Sequence, residues 1–96
     1  MATYVSLVNF TDQGIRDIKE SPKRYEAFKA MAEKVGATVK GVYYTVGSYD
    51  LVLITEGTDE AIATALLKAG SLGNVRTQTL RAFSVDEIKK MLANLP

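Results

Sequence analysis

Between Thr3 and Phe10 apolar residues occupy both parities, Val5 and Leu7 on one face and Tyr4, Val8 and Phe10 on the other. Successive side chains of a strand point to opposite sheet faces, so this run predicts a strand covered on both sides. The period then changes. Thr11-Asp12-Gln13-Gly14 starts a short helical turn through Ile15 and Ile18, and Ser21-Pro22 restarts the chain as a helix. Serine is expected there to cap free N–H groups, and proline suits a first turn because it has no N–H to leave unpaired. Tyr25, Phe28, Ala32 and Val35 form one apolar stripe on this helix, and Gly36 ends it.

Two β-rich runs follow, at about residues 38–46 and 50–56, joined by Gly47-Ser48-Tyr49-Asp50 as a hairpin turn. Thr58 caps a second helix with Asp59 and Glu60 in its first turn and with Ile62, Leu66 and Leu67 facing inward. Gly70-Ser71-Leu72-Gly73-Asn74 stops that helix, and Val75 to Phe83 reads as a fourth strand. Ser84 and Glu87 are spaced as a capping box for a last helix, whose stripe is Val85, Ile88, Leu92 and Leu95.

The predicted order is βαββαβ plus a C-terminal helix. That order specifies an α+β, ferredoxin-like fold: a four-stranded antiparallel sheet with two helices on one face. One domain over residues 1–96 is expected, since domains run from about 50 to 250 residues. The helices cover one sheet face only, yet Val42, Tyr44, Val52 and Ile54 alternate with Tyr43, Leu51 and Leu53. A bare apolar face calls for a partner, and a second copy is the simplest one. The expectation is a homodimer or higher homo-oligomer packed sheet to sheet, with the terminal helix as an extra strap.

Composition narrows the chemistry. Apolar residues make up 47% and charged residues 24%, a globular balance. Twelve basic and eleven acidic residues are interspersed for a net charge of +1, so electrostatic capture of nucleic acid or an anionic membrane is not expected. The chain has neither cysteine nor histidine, which removes thiol nucleophiles, disulfides, and the commonest general base and metal ligand. The start, Met1-Ala2-Thr3-Tyr4-Val5, does not read as a secretory signal, and no run approaches the ~20 apolar residues of a membrane span. A cytoplasmic protein without metal or cofactor is expected. Serines and threonines have no histidine to activate them, the carboxylates are scattered, and Gly70-Ser71-Leu72-Gly73 reads as a helix stop, so no catalytic residue is assigned.

Thr11-Asp12-Gln13-Gly14-Ile15-Arg16, Ser21-Pro22-Lys23-Arg24, Gly47-Ser48-Tyr49-Asp50, Asn74-Val75-Arg76-Thr77 and Thr79-Leu80-Arg81-Ala82-Phe83 occur in that order on this element pattern. Taken together they resemble the GYD domain family of the dimeric α/β-barrel group. The resemblance implies two ferredoxin-like sheets packed face to face as a barrel on oligomerisation, and it implies no particular reaction. A similar glycine–aromatic–aspartate hairpin occurs in the effector-binding domain of feast/famine transcription regulators, which binds amino acids near subunit interfaces.

The ligand-binding candidates are Tyr43, Tyr44, Tyr49, Asp50, Arg16, Arg24 and Arg81. Tyrosine hydroxyls and one basic group suit a small polar or anionic ligand in a mostly apolar pocket. Each residue also has a structural reading. Gly47 supplies a positive φ, Asp50 caps its own turn, and the arginines are solvated charges or pair between subunits with Asp17, Glu20, Asp50 or Glu56. Arg76 and Arg81 are five apart on a strand and project to opposite faces. The expected function is a non-catalytic homo-oligomer that binds a small molecule or serves assembly. The alternative is a cofactor-independent enzyme acting on a small aromatic or carbonyl substrate in the barrel cavity, with Tyr43, Tyr44 or Tyr49 as acid or orienting group.

Overall fold

The computed structural model describes residues 2–96; Met1, read above as part of the opening segment, lies outside them. The strands are β1 (Ala2–Phe10), β2 (Thr38–Tyr44), β3 (Leu51–Gly57) and β4 (Val75–Ala82). The helices are α1 (Asp12–Arg16), α2 (Ser21–Lys34), α3 (Asp59–Ser71) and α4 (Val85–Ala93), with a 3-10 turn at Ile18–Glu20 before α2. The sheet runs β2-β3-β1-β4 and every neighbouring pair is antiparallel. Helices α2 and α3 pack on each other and on one sheet face. This is the ferredoxin-like α+β fold that the order of elements specified.

Register assigns the faces. Tyr4, Ser6 and Val8 of β1 and Leu51, Leu53 and Thr55 of β3 are buried under the helices. Val5, Leu7, Val52 and Ile54 point the other way and are half-buried, with Leu80 exposed beside them. Parity within each strand was right, but the hairpin links β2 and β3 in opposite phase. Tyr43 pairs with Val52 and Tyr44 with Leu51, so Tyr43, not Tyr44, shares the open face with Val52 and Ile54. A bulge at Lys40 shifts the register again and returns Val39 to the side of Thr55.

The core is small and rich in alanine: Ala32, Ala37, Ala61 and Ala65 pack with Ile62 around the Tyr4 ring. Alanine at the helix contacts lets α2 and α3 come close to the sheet, and each remaining methyl makes dispersion contacts that a void would lose. Polar side chains also lie at the sheet under the helices. Ser6 Oγ and Thr79 Oγ1 bond at 2.8 Å, while the Tyr4 hydroxyl and Thr55 Oγ1 are buried without a protein partner. Leu67, expected inward, is 75% exposed, because the buried stripe of α3 runs through Ile62, Ala65 and Leu66 and position 67 turns off it.

One corner joins the ends of three strands. Thr11 N–H donates to Asn74 O at 3.1 Å, and Thr11 Oγ1 donates to Gly73 O at 2.6 Å while accepting from Gly14 N–H at 3.1 Å. Gln13 Nε2 adds bonds to Leu72 O at 3.1 Å and Asn74 Oδ1 at 2.9 Å. A Cβ on Gly14 would lie 2.0 Å from Asn74 O, so only glycine admits this approach. The Ser84–Glu87 capping box forms as expected, with Ser84 N–H donating to Glu87 Oε1 at 2.9 Å and Glu87 N–H to Ser84 Oγ at 3.1 Å. Among the described residues, helix α4 has no extensive packing against another element.

Two predictions follow from the corner and the cap. Gly14→Ala forces backbone apart and is expected to cost about 1–3 kcal/mol in urea unfolding. The backbone N–H of Ser84, then its hydroxyl and the nearby Arg81 charge, hold the Glu87 carboxyl below the ordinary glutamate value. A lowered carboxylate pKa contributes helix stability that is complete above the unfolded-state value and is lost as pH falls through the folded one. Glu87 side-chain shifts in an NMR pH titration are therefore expected to move below the ordinary glutamate midpoint, with the Ser84 amide signal following the same curve.

Candidate functional site

The hairpin loop leaves β2 at Tyr44 and re-enters the sheet at Leu51, so Val46 is fully exposed loop, not strand. Gly47 has a φ of 149° and supplies the expected positive-φ position. The loop is closed by Thr45 N–H donating to Asp50 O at 2.8 Å. Asp50 does not cap its own turn. Its N–H donates to Val8 O at 2.8 Å, and its Oδ2 accepts from the Phe10 N–H at 2.8 Å. The carboxylate takes over an N–H at the end of β1 that the β1–β3 ladder, which stops at Val8 and Leu51, no longer reaches.

Tyr49 turns to the open face. Its hydroxyl donates to Gln78 Oε1 at 3.1 Å, and because Gln78 lies on β4, the ring passes over β1. Tyr43 is on the same face opposite Val52 and is 65% exposed. Tyr44 is on the helix face, its hydroxyl 2.7 Å from Ser21 Oγ. That bond ties the hairpin to the start of α2 and explains why Ser21 does not cap. The 3-10 turn runs straight into α2 and the Ser21 N–H already donates to Ile18 O, so Ser21 is helical and its hydroxyl is free for Tyr44.

The arginines do not converge. Arg24 donates to Asp17 O and Gly14 O, each at 3.0 Å, and lies over the Phe10 ring at 6.0 Å. It thereby satisfies carbonyls at the C-terminal end of α1 and meets the Asp17 backbone, not its carboxylate. Arg81 projects from the far end of β4 on the helix face and stacks over Phe83 at 4.4 Å and Tyr4 at 5.7 Å. Its Nη1 also bonds Thr3 O and Ala82 O. Arg76 falls on the opposite face from Arg81, as its spacing required. Arg16 is exposed in the last turn of α1. Within one chain, among the described residues, the one ion pair is Lys23–Glu20 at 3.9 Å, exposed on both sides.

A cavity of about 400 Å³ opens elsewhere, between α2, the C-terminal half of α3 and the sheet. Val8, Phe10, Leu51 and Leu53 form its floor and Tyr25, Phe28, Met31, Leu66 and Leu72 its walls. Arg24 and Lys68 are its charged groups, and no carboxylate lines it. Tyr43, Tyr44, Tyr49, Asp50, Arg16 and Arg81 do not line it. Ala27 of α2 and Ala69 of α3 also line it, small residues outside the apolar stripes read from the sequence. Among the described residues no group of carboxylates is placed to hold a metal ion, and no helix is long and apolar enough to cross a membrane.

An antiparallel ferredoxin-like sheet with one bare apolar face and a glycine–tyrosine–aspartate hairpin defines a class of small α+β proteins. Within it this chain belongs to the GYD domain family, matched over residues 4–92. It is 33% identical over 90 residues to a Thermus thermophilus protein described as a glutamine synthetase and cystathionine beta-lyase binding protein, covering 92% of this chain and 95% of that one. The solved structure of FFRP-DM1 superimposes with a TM-score of 0.61 at 23% identity, over 86% of this chain and 100% of the other. A mutant of Rv3291c superimposes with a TM-score of 0.56 at 16% identity, over 88% of this chain and 52% of its own. At these identities the two structures share the fold.

Asp50→Ala leaves the Phe10 N–H without its charged acceptor and is expected to cost about 1.5–3 kcal/mol in urea unfolding, whereas Tyr49→Phe is expected to cost about 1 kcal/mol or less. Equal losses for the two variants would contradict the roles assigned to them.

Proposed function

We propose that this GYD protein is a non-catalytic, homo-oligomeric binding module, a single unit over residues 1–96 whose assembled surface docks onto metabolic enzymes. One observation carries the reading. The polar groups of the hairpin region are engaged within the fold, Asp50 on the Phe10 N–H, Tyr44 on Ser21 and Arg24 on two carbonyls, while Val5, Leu7, Val52, Ile54 and Leu80 leave an apolar sheet face without cover. Bare apolar faces of this kind mark interaction surfaces, and a two-fold pairing of identical faces is the simplest closure. The Thermus thermophilus relative, described by the two enzymes it binds, supports an enzyme as the further partner. On the same reading the protein works in the cytoplasm beside such enzymes.

Tyr43 and Tyr49 remain the groups a small polar ligand would meet where two sheet faces join, with Asp50 behind them. The enzymatic alternative needs one tyrosine hydroxyl, of Tyr43, Tyr44 or Tyr49, turned into an enclosed barrel cavity. Here Tyr44 lies on one face, Tyr43 and Tyr49 on the other, and the Tyr49 hydroxyl is bonded to Gln78.

Ile54→Asp puts a charge in the middle of the open face. It is expected to convert the native oligomer to monomer in multi-angle light scattering with the far-UV spectrum unchanged. Titration calorimetry of the wild-type protein against purified glutamine synthetase and cystathionine β-lyase is expected to show binding to at least one. A wild-type monomer, or no heat with either enzyme, would overturn the reading.

A further inference from the structure

Helix α4 is amphipathic and uncovered. Val85, Leu92 and Leu95 are exposed by 73%, 58% and 69%, and Ile88 and Met91 are also exposed on the same stripe. The radius of gyration is 14.7 Å, against about 12.5 Å for a compact chain of this length. The excess fits a terminal helix that stands off the body. At the other end of the molecule the α2–α3 cavity is lined mostly by apolar side chains. Its charged groups are Lys68 and Arg24, the latter already on two carbonyls, whereas α4 opens with Asp86 and the capping Glu87 and carries Lys89 and Lys90 one turn later.

These two features do not meet within one chain. Strand β4 enters at Val75 beside Phe10, on the cavity floor, and leaves at Ala82 beside Thr3. Its eight residues separate the two points by about 23 Å at ~3.3 Å per residue. A nine-residue helix is only about 14 Å long and begins beyond the far end.

We propose that α4 of one copy seats its apolar stripe in the α2–α3 groove of a second copy, with Asp86 directed toward Lys68 at the rim. The exchange uses a different surface from the sheet-face pairing and does not depend on it. Burial of the stripe supplies the driving force, and charge of opposite sign at the rim sets its direction along the groove.

The chain has no cysteine, so introduced thiols report without background. Leu92→Cys protein is mixed with isotope-labelled Ala69→Cys protein and treated with a bismaleimide, and cross-links are read by mass. A mixed Leu92–Ala69 cross-link is the expected result, lost when Ile88→Asp is added to the Leu92→Cys chain. Val52→Cys in place of Ala69→Cys samples the open sheet face. A mixed cross-link stronger at Val52 than at Ala69, or none at either, would overturn the proposal. So would an intramolecular link in a chain carrying both Leu92→Cys and Ala69→Cys. Repeating the Leu92–Ala69 experiment in Ile54→Asp protein separates the two surfaces: the cross-link persists there even when sheet-face pairing is gone.

Discussion

The Asn74 carbonyl, held 3.1 Å from the Thr11 N–H and pressed against Gly14, fixes how three strands meet. It joins the exit of β1 to the entry of β4, and Asp50 at the entry of β3 bonds the last N–H of β1 beside it. Because the corner is set by backbone atoms, it leaves little freedom in the angle at which α1 leads into α2. Arg24 then reaches back from α2 to the carbonyls of α1, and Tyr44 reaches Ser21 from the hairpin. Four of the five motif segments, at 11–16, 21–24, 47–50 and 74–77, therefore meet in one hydrogen-bonded junction, while 79–83 lies at the far end of β4.

A second constraint is the number of layers. Two helices cover one face of a four-stranded sheet, yet β1 and β3 carry apolar side chains on both. The helix side is closed largely by alanines around Tyr4 and Ile62, over Val8, Leu51 and Leu53 of the sheet, which limits the apolar area that it removes from water. A chain with so modest a core depends on further burial for a comfortable stability margin. The open face and α4 are the places where that burial is available, and both lie outside what a single chain encloses.

The fold was legible because caps and parity act locally. Thr58 and Ser84 each cap as their spacing indicated, Gly36 ends α2 with a φ of 95°, and strand parity named the residues of each face. What stayed hidden depended on contacts between segments. The phase between β2 and β3 is a property of the loop, so Tyr43 and Tyr44 could be divided between faces but not assigned to them. Asp50 and Ser21 have side chains that ordinarily serve their own turn or helix, and here each is taken by a residue remote in sequence. The α2–α3 cavity is lined from α2, α3 and the sheet together, a property of their packing that no single stripe reveals.

Helix α4 carries a capping box, acids in its first turn and Lys90 in its last, all of which act within the helix. Nine residues are nevertheless fewer than the ~12–15 at which isolated helices become even marginally stable in water. Its order is thus a helix–coil population that any covering surface raises, in contrast to the cooperatively folded sheet. Amide hydrogen exchange in α4 then works as a gauge of occupancy: slow exchange marks chains whose terminal helix is covered, and fast exchange marks those whose helix is bare.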